Sequence, residues 1–400
     1  MRLAVLSTHP IQYNAPLFRE LASREGIDLR VFYSWEGTAS SNDPDFGLPI
    51  TWDVPLLDGY AWELVENKAR DPGTHHYGGL DNPSMNTRLA DWRPDALMVY
   101  GWAWRTHLSA MRFFKGRVPI LFRGDSTLLT VSETRWKRVL RRPALAWVYR
   151  HIDVALSPGQ HNFAYLRQMG VPERRIRHMP HAIDIERFSP ENSEYLAAAD
   201  RLRNAFDIQD EDTTFVFAGK LIKRKAVDVL IKAFRRTVET TKSRARLLIA
   251  GDGPERLHLE KMAADLSQVS FLGFRNQTEM PAVYLAGDVF VLPSLIETWG
   301  LAVNEALALG RPVIASDRVG AAPDLLADKT YGRVFHADNV DALTCAMRDL
   351  MIAGKSPSIR AAARTASVAW SIPRAADSIL SVLDEFVGHA DNASLPEVAG

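Results

Sequence analysis

The chain has one cysteine, Cys345, among its 400 residues. A lone thiol builds neither a disulfide framework nor a thiolate metal cluster. It falls in a helical pattern and is expected to be packed. Net charge is missing too, since 48 Lys and Arg balance 48 Asp and Glu. That balance argues against a surface that binds nucleic acid or another polyanion as a whole. No run approaches the roughly 18 apolar residues of a membrane-spanning helix. The first apolar segment, Leu3-Ala4-Val5-Leu6, is too short for the core of a signal peptide and reads as a strand. A cytoplasmic location is therefore expected. Internal repeats and low-complexity stretches are also absent.

A length of 400 residues and a hydrophobic content of 46% suit two domains. Strand signals at 3–6, 29–33, 96–100, 120–122 and 154–156 alternate with helical or loop stretches. The same alternation resumes in the second half, which predicts two α/β layers of doubly wound parallel sheet. Two long connections, Gly37–Trp62 and Asp71–Met85, the latter carrying His75, His76 and three glycines, either overhang a site or are plain surface loops.

The most informative stretch is Val291–Ser316, VLPSLIETWGLAVNEALALGRPVIAS, with Glu297 and Glu305 eight positions apart around Trp299-Gly300. A buried strand ends near Pro293, a loop follows, and an apolar helix runs from Leu301 to the stop at Gly310. A loop that opens a helix presents unpaired amides at Gly300 and Leu301, backed by the positive end of the helix dipole. Such a terminus seats a phosphate. A carboxylate on either side of it can chelate a vicinal diol, which a nucleotide sugar offers at both ends of its diphosphate.

A second motif, Phe215–Phe234, reads as strand, basic turn and amphipathic helix, with Gly219, Lys220 and Lys225 in the turn. Two cations there would stabilise a departing diphosphate. The Gly251-Asp-Gly253-Pro254 turn invites a dinucleotide reading, which fails because Arg256 stands where the third glycine belongs.

The first of these segments resembles the donor-binding motif of retaining glycosyltransferases of family 4, P-S-x-x-E-x-[FW]-G-x-x-x-x-E-A-x-A-x-G-x-P-V-I-A, with every fixed position filled. The second resembles that family's G-[RK]-L-x-x-x-K-G, except that Lys220 stands where arginine is commoner and Ala226 replaces glycine. The turn at Ala226 is therefore expected to close without a positive φ. Residues 178–190, HMPHAIDIERFSP, are similar to the family's crossing between domains through Pro180, Ile183, Asp184 and Phe188. The start, His9-Pro-Ile-Gln12-Tyr13, is similar to a subset of the family and lacks its usual glycine pair.

The resemblance implies a GT-B fold, in which two Rossmann-like doubly wound domains face a cleft. An acceptor domain would span 1–180 and a nucleotide-sugar domain 181–372. A helix over 373–388 would return to the first domain, with a disordered tail at 389–400. It implies that Glu305 binds the ribose and Glu297 the transferred sugar. Lys220, Lys225, Gly219 and the amides of Gly300 and Leu301 would hold the diphosphate, and Phe274 and Arg275 would neighbour the base. The activity implied is transfer of a hexosyl unit, with retention, from a nucleotide-diphosphate sugar to a saccharide or lipid-linked acceptor, without a cofactor or metal.

In the first half, Asp125 follows a strand within Arg123-Gly-Asp-Ser. It either accepts the acceptor's proton or caps the next helix. His9 faces the site or is a structural hydrogen bonder. The pairs Asp43-Pro-Asp45 and Asp210-Glu-Asp212 read as solvated turn charges. The basic stretch 135–150 either touches an anionic membrane or is a charged helix with a buried aromatic face. Three other readings stay open: a nucleotide-sugar epimerase, a glycoside hydrolase built on paired carboxylates, and an inactive sugar-nucleotide binding module.

Overall fold

The computed structural model describes residues 1–37, 42–43, 48–49, 51–130, 135–241 and 244–391. The chain divides into two compact units. One comprises Met1–Thr38, Pro55–His181 and Ile372–Gly400, the other Ala39–Val54 and Ala182–Ser371. The strands are β1 (Arg2–Ser7), β2 (Asp28–Tyr33), β3 (Asn42–Asp43), β4 (Leu48–Pro49), β5 (Ala61–Leu64), β6 (Ala96–Tyr100), β7 (Ile120–Arg123), β8 (Val154–Ser157), β9 (Ile176–His178), β10 (Thr213–Ala218), β11 (Ala245–Ala250), β12 (Val269–Gly273), β13 (Val289–Leu292), β14 (Val313–Ser316) and β15 (Gly332–Phe335).

The first unit holds a seven-stranded sheet in the order β5-β2-β1-β6-β7-β8-β9, and the second a six-stranded sheet in the order β12-β11-β10-β13-β14-β15. Every pairing within these two sheets is parallel. Strands covered by helices on both faces need apolar residues at every position rather than alternation. β10 comes close to this, with Thr213–Ala218 buried throughout and every position from Phe215 on apolar. In each sheet the strand order reverses once, between β1 and β6 and between β10 and β13. The carboxyl ends beside such a reversal are where open α/β sheets bind ligands.

The sequence reading did not contain β5, β9 or β15. β5 is an edge strand whose Trp62 and Leu64 are exposed, so neither alternation nor an apolar run marks it. β9 is only three residues long, and β15 carries Arg333 and the exposed Val334.

The last helix, Ile372–Asp391, packs in the first unit. Arg24 Nη2 meets Asp377 at 3.1 Å and Arg177 Nη2 meets Glu385 at 2.8 Å. It extends past the expected end at 388, and residues 392–400 of the expected tail lie outside the described residues. Segment 39–54 falls with the second unit, where Asn276 Nδ2 donates to Thr51 O at 2.8 Å.

Cys345 is exposed rather than packed. It lies on the outer face of the helix Val340–Ala353, whose Leu343 and Met347 are buried. Asp212 is likewise no solvated turn charge. It is buried, accepts from Gln209 N at 2.9 Å, and pairs with Arg244 at 2.9 Å and Arg246 at 3.3 Å. Burial would raise this carboxyl, and those partners hold it below the usual range. Pro44 and Asp45 of the other acidic pair lie outside the described residues.

Candidate active site

The two motifs meet at the switch point of the second sheet. The loop after β13 and the turn after β10 are joined by Leu295 N donating to Arg224 O at 2.8 Å. Beside that link Lys225 Nζ forms an ion pair with Glu297 Oε2, and Ser294 Oγ reaches the same oxygen at 3.4 Å. Side-chain exposures of 14% for Lys225 and 19% for Glu297 leave the pair reachable yet poorly screened. Lys220 is partly buried on the same turn, which begins at Gly219, whose N–H donates to Ala250 O at 3.0 Å.

A strap from Arg318 to Ala321 fixes the backbone around Glu297. Glu297 N donates to Arg318 O at 3.0 Å, Gly320 N to Glu297 O at 3.0 Å, and Ala321 N to Trp299 O at 2.9 Å. Trp299 is buried and donates its indole N–H to Asn304 Oδ1 at 2.9 Å, so it braces the loop rather than lining it. Gly300 has φ 98°, and a Cβ there would lie 3.0 Å from Leu292 and 3.1 Å from Val319. Only glycine turns the chain so sharply into the helix Leu301–Ala308. The first amides of that helix, at Leu301 and Ala302, have no intrahelical partner by construction.

Glu305 sits in this helix with only 3% of its surface exposed, and its Oε2 accepts from Tyr284 O–H at 2.6 Å. Tyr284 in turn packs edge-on against Phe188 and Phe290. The carboxylate is thereby held in one orientation. Nothing local in the sequence marks Tyr284, because the contact spans 21 positions between two helices.

Ala226 departs from expectation, adopting φ 49° and ψ 41° with its side chain buried. The turn does need a left-handed residue, and alanine supplies it at a cost of about 1 kcal/mol. The Gly251-x-Gly253 turn has a packing explanation. A Cβ on Gly251 would lie 1.8 Å from Gly219 O, and Leu221 N donates to Asp252 O at 2.8 Å. These glycines let the turn after β11 lie against the Gly219–Leu221 backbone. Arg275 pairs with Glu279 at 2.9 Å, and Phe274 is partly buried beside it in the chain.

The first sheet carries its own cluster at its carboxyl ends. Arg123, at the end of β7, is 3% exposed and meets Asp125 Oδ1 at 3.1 Å; His181 Nε2 lies 4.0 Å from the same oxygen. Burial would raise the Asp125 carboxyl, and Arg123 and His181 hold it below the usual range. Desolvation pushes His181 down to about 4, with Asp125 opposing. Asp125 therefore answers to these two partners. His9, after β1, is partly buried with its pKa lowered by desolvation; its Nδ1 contacts Thr8 Oγ1 at 2.9 Å and its ring meets Trp35 at 5.6 Å. Trp35 was not singled out from the sequence, and His181 entered there only as part of the crossing segment 178–190.

In the basic stretch, the helix Arg135–Tyr149 buries Leu145, Val148 and Tyr149. Trp147 is 38% exposed between the guanidiniums of Arg112 and Arg150. The side chains of 135–140 lie outside the described residues. No described helix is long and apolar enough to cross a membrane.

Residues 199–365 match the family model of glycosyl transferases group 1, and residues 11–182 match that of the glycosyl transferase 4-like domain. Both halves of the chain thus match glycosyltransferase families. It is 30% identical over 233 residues to a GDP-mannose-dependent alpha-(1-6)-phosphatidylinositol monomannoside mannosyltransferase of Mycolicibacterium smegmatis, covering 55% of this chain and 58% of that protein. It is 28% identical to a GDP-mannose-dependent alpha-mannosyltransferase of the same species, covering 78% of this chain and 77% of the relative. The match thus spans little more than half of the first relative's length. The fold is similar to that of Anabaena HepE, crystallised with UDP and glucose, at a TM-score of 0.70 and 17% identity over 96% of this chain and all of that one. Its two Rossmann-like domains are those of the GT-B fold.

Proposed function

We propose that this glycosyltransferase moves a sugar from a nucleotide-diphosphate sugar to a hydroxyl of a saccharide or lipid-linked acceptor, with retention. The observation that carries the reading is the convergence of Lys225 and Glu297 beside the amino end of the helix Leu301–Ala308. Lys225 and Lys220 face the diphosphate together with the amides of Gly300 and Leu301. Glu297 takes a hydroxyl of the transferred sugar, and Glu305, oriented by Tyr284, takes the ribose diol. Phe274 and Arg275 flank the base.

The bond from the sugar C1 to the distal phosphate oxygen breaks, and that oxygen gathers negative charge as the cations and the helix dipole stabilise it. The acceptor oxygen attacks the oxocarbenium-like carbon from the same face. Its proton passes to the leaving phosphate. Asp125 and His9 stand at the carboxyl ends of the first sheet, where they meet the acceptor. The reaction needs no cofactor, since the lysines and helix amides carry the charge. The enzyme works in glycoconjugate or polysaccharide assembly in the cytoplasm.

A thermal-shift screen against GDP-, UDP-, ADP-, CMP- and dTDP-sugars tests this, beginning with GDP-mannose, the donor in the relatives' names. A ligand at a hundred times its dissociation constant adds about 2.7 kcal/mol. Stabilisation of the wild type by one nucleotide class and not of Glu305→Ala is expected. Equal stabilisation of both proteins overturns the assignment of Glu305. Product formation without an acceptor would favour an epimerase.

A further inference from the structure

We propose that Asp71, His75 and His76 form a binding site for a divalent transition-metal ion of the Zn2+ class. The site lies in the loop between β5 and β6 of the first unit, and its chemistry is independent of the donor site. His75 Nε2 is 2.9 Å from Asp71 Oδ2 and His76 Nε2 is 3.6 Å from the same oxygen. The three ligand atoms all lie within 4.8 Å of one another. Zinc holds nitrogen and carboxylate oxygen at about 2.0 to 2.2 Å, so neighbouring ligands of a tetrahedral ion stand roughly 3.3 to 3.5 Å apart. The two nitrogen–oxygen separations bracket that edge, and closing the set around an ion turns His76 Nε2 from its contact with Asp71 O at 3.1 Å toward the carboxylate. Two imidazoles and one carboxylate are also the ligand types that suit zinc and its neighbours rather than magnesium or calcium.

Two features make this more than a chance meeting of surface residues. Consecutive histidines ordinarily diverge, yet these two rings stand 4.6 Å apart at 73° and bring both Nε2 atoms to Asp71, that of His75 to the carboxylate and that of His76 to the backbone O at 3.1 Å with the carboxylate just beyond. The backbone that achieves this is fixed at several points. Gly73 N donates to Gly79 O at 3.1 Å, Gly79 N to His76 O at 3.1 Å, and Asn67 Nδ2 to Gly79 O at 2.9 Å. Trp104, which follows β6, donates its indole N–H to Thr74 O at 3.1 Å. The loop is thus tied to the carboxyl end of the first sheet, where an ion would pin both its arms. All three ligands are exposed, so a fourth position is open to water or to a ligand oxygen.

The experiment uses the full chain, free of any affinity tag, with Co2+ as a spectroscopic probe and Zn2+ as competitor in equilibrium dialysis. One ion per chain and a visible absorption band of low-coordinate Co2+, displaced by Zn2+, are expected. His75→Ala and His76→Ala should each weaken binding by at least 10-fold and erase the band. His336→Ala is the control, because His336 pairs with Asp317 at 2.8 Å in a two-ligand arrangement elsewhere on the surface, and it should leave both readings unchanged. Thermal transitions of the metal-free variants that match the wild type establish that they fold. Retention of stoichiometry and band in the double variant His75→Ala/His76→Ala overturns the proposal, as does failure of the wild type to bind at micromolar metal.

Discussion

At the reversal of the second sheet Lys225 and Glu297 stand in ion contact and Glu305 is buried against Tyr284, whereas at that of the first sheet burial keeps His9 and His181 toward the neutral form and Asp125 leans on one buried guanidinium. The same strand order thus supports two electrostatic regimes. A departing diphosphate develops the same charge whatever the sugar, so the side that holds it benefits from fixed charges. An acceptor hydroxyl is neutral until it reacts. In the proposed reaction the side that meets it can vary, and on the first sheet the family pattern is followed loosely, with Arg123-Gly-Asp125 and a loop lacking the glycine pair.

The sharpest way to break this comparison is to remove a charge from each side. Lys225→Ala and Glu305→Ala should each cost about 2 to 4 kcal/mol in kcat/KM, and Asp125→Asn should cost less, since the leaving phosphate takes the proton in this reading. A loss at Asp125 equal to that at Lys225 would move charge chemistry onto the first sheet.

The next effect concerns stability and belongs to the first unit. His107 is fully buried between Ser34 Oγ at 3.3 Å and Gly101 O at 3.1 Å, and desolvation lowers it to about 4. Its folded pKa lies below the unfolded value of 6.5, so between these limits the unfolded chain binds the extra proton. Stability is therefore complete above pH 6.5 and falls as pH drops toward 4, by on the order of 3 kcal/mol for this group. His181, also held near 4, adds to the same slope. Urea unfolding of wild type and His107→Gln at several pH values should show a shallower slope in the variant. A wild-type midpoint that does not change between pH 6.5 and 5 would contradict it.

Smaller effects sharpen the second site. Tyr284→Phe leaves Glu305 without its phenolic donor and should weaken nucleotide binding by about 1 to 2 kcal/mol, visible in KM for the donor more than in the thermal transition. Ala226→Gly relieves the left-handed alanine and should stabilise by up to about 1 kcal/mol. Unchanged stability would mean that the unfolded-state entropy of glycine offsets the relief.

Much of this was legible in the sequence because the second sheet's site is built from contiguous segments. Glu297, Gly300, Leu301 and Glu305 lie within one loop and one helix, and Gly219, Lys220 and Lys225 within one turn. The first sheet's cluster draws Arg123 and Asp125 from one segment and His181 from another far along the chain, and its chemistry could only be guessed residue by residue. The solvated reading of Asp212 failed for a related reason: its partners Arg244 and Arg246 lie more than 30 positions away. Cys345 failed because a helical pattern locates a face only once the partner surface is known.

By itself the sequence determined that two parallel sheets form, through short buried strand runs alternating with amphipathic helices, and it determined which turns present cations and carboxylates. Strand periodicity and turn chemistry are local properties, carried by neighbours in the chain. Only the tertiary structure decided that Lys225 pairs with Glu297, that Tyr284 orients Glu305, that Ala226 is left-handed and that His75 and His76 converge on Asp71. These depend on which segments the sheet order brings side by side, and on backbone hydrogen bonds between residues far apart in the chain.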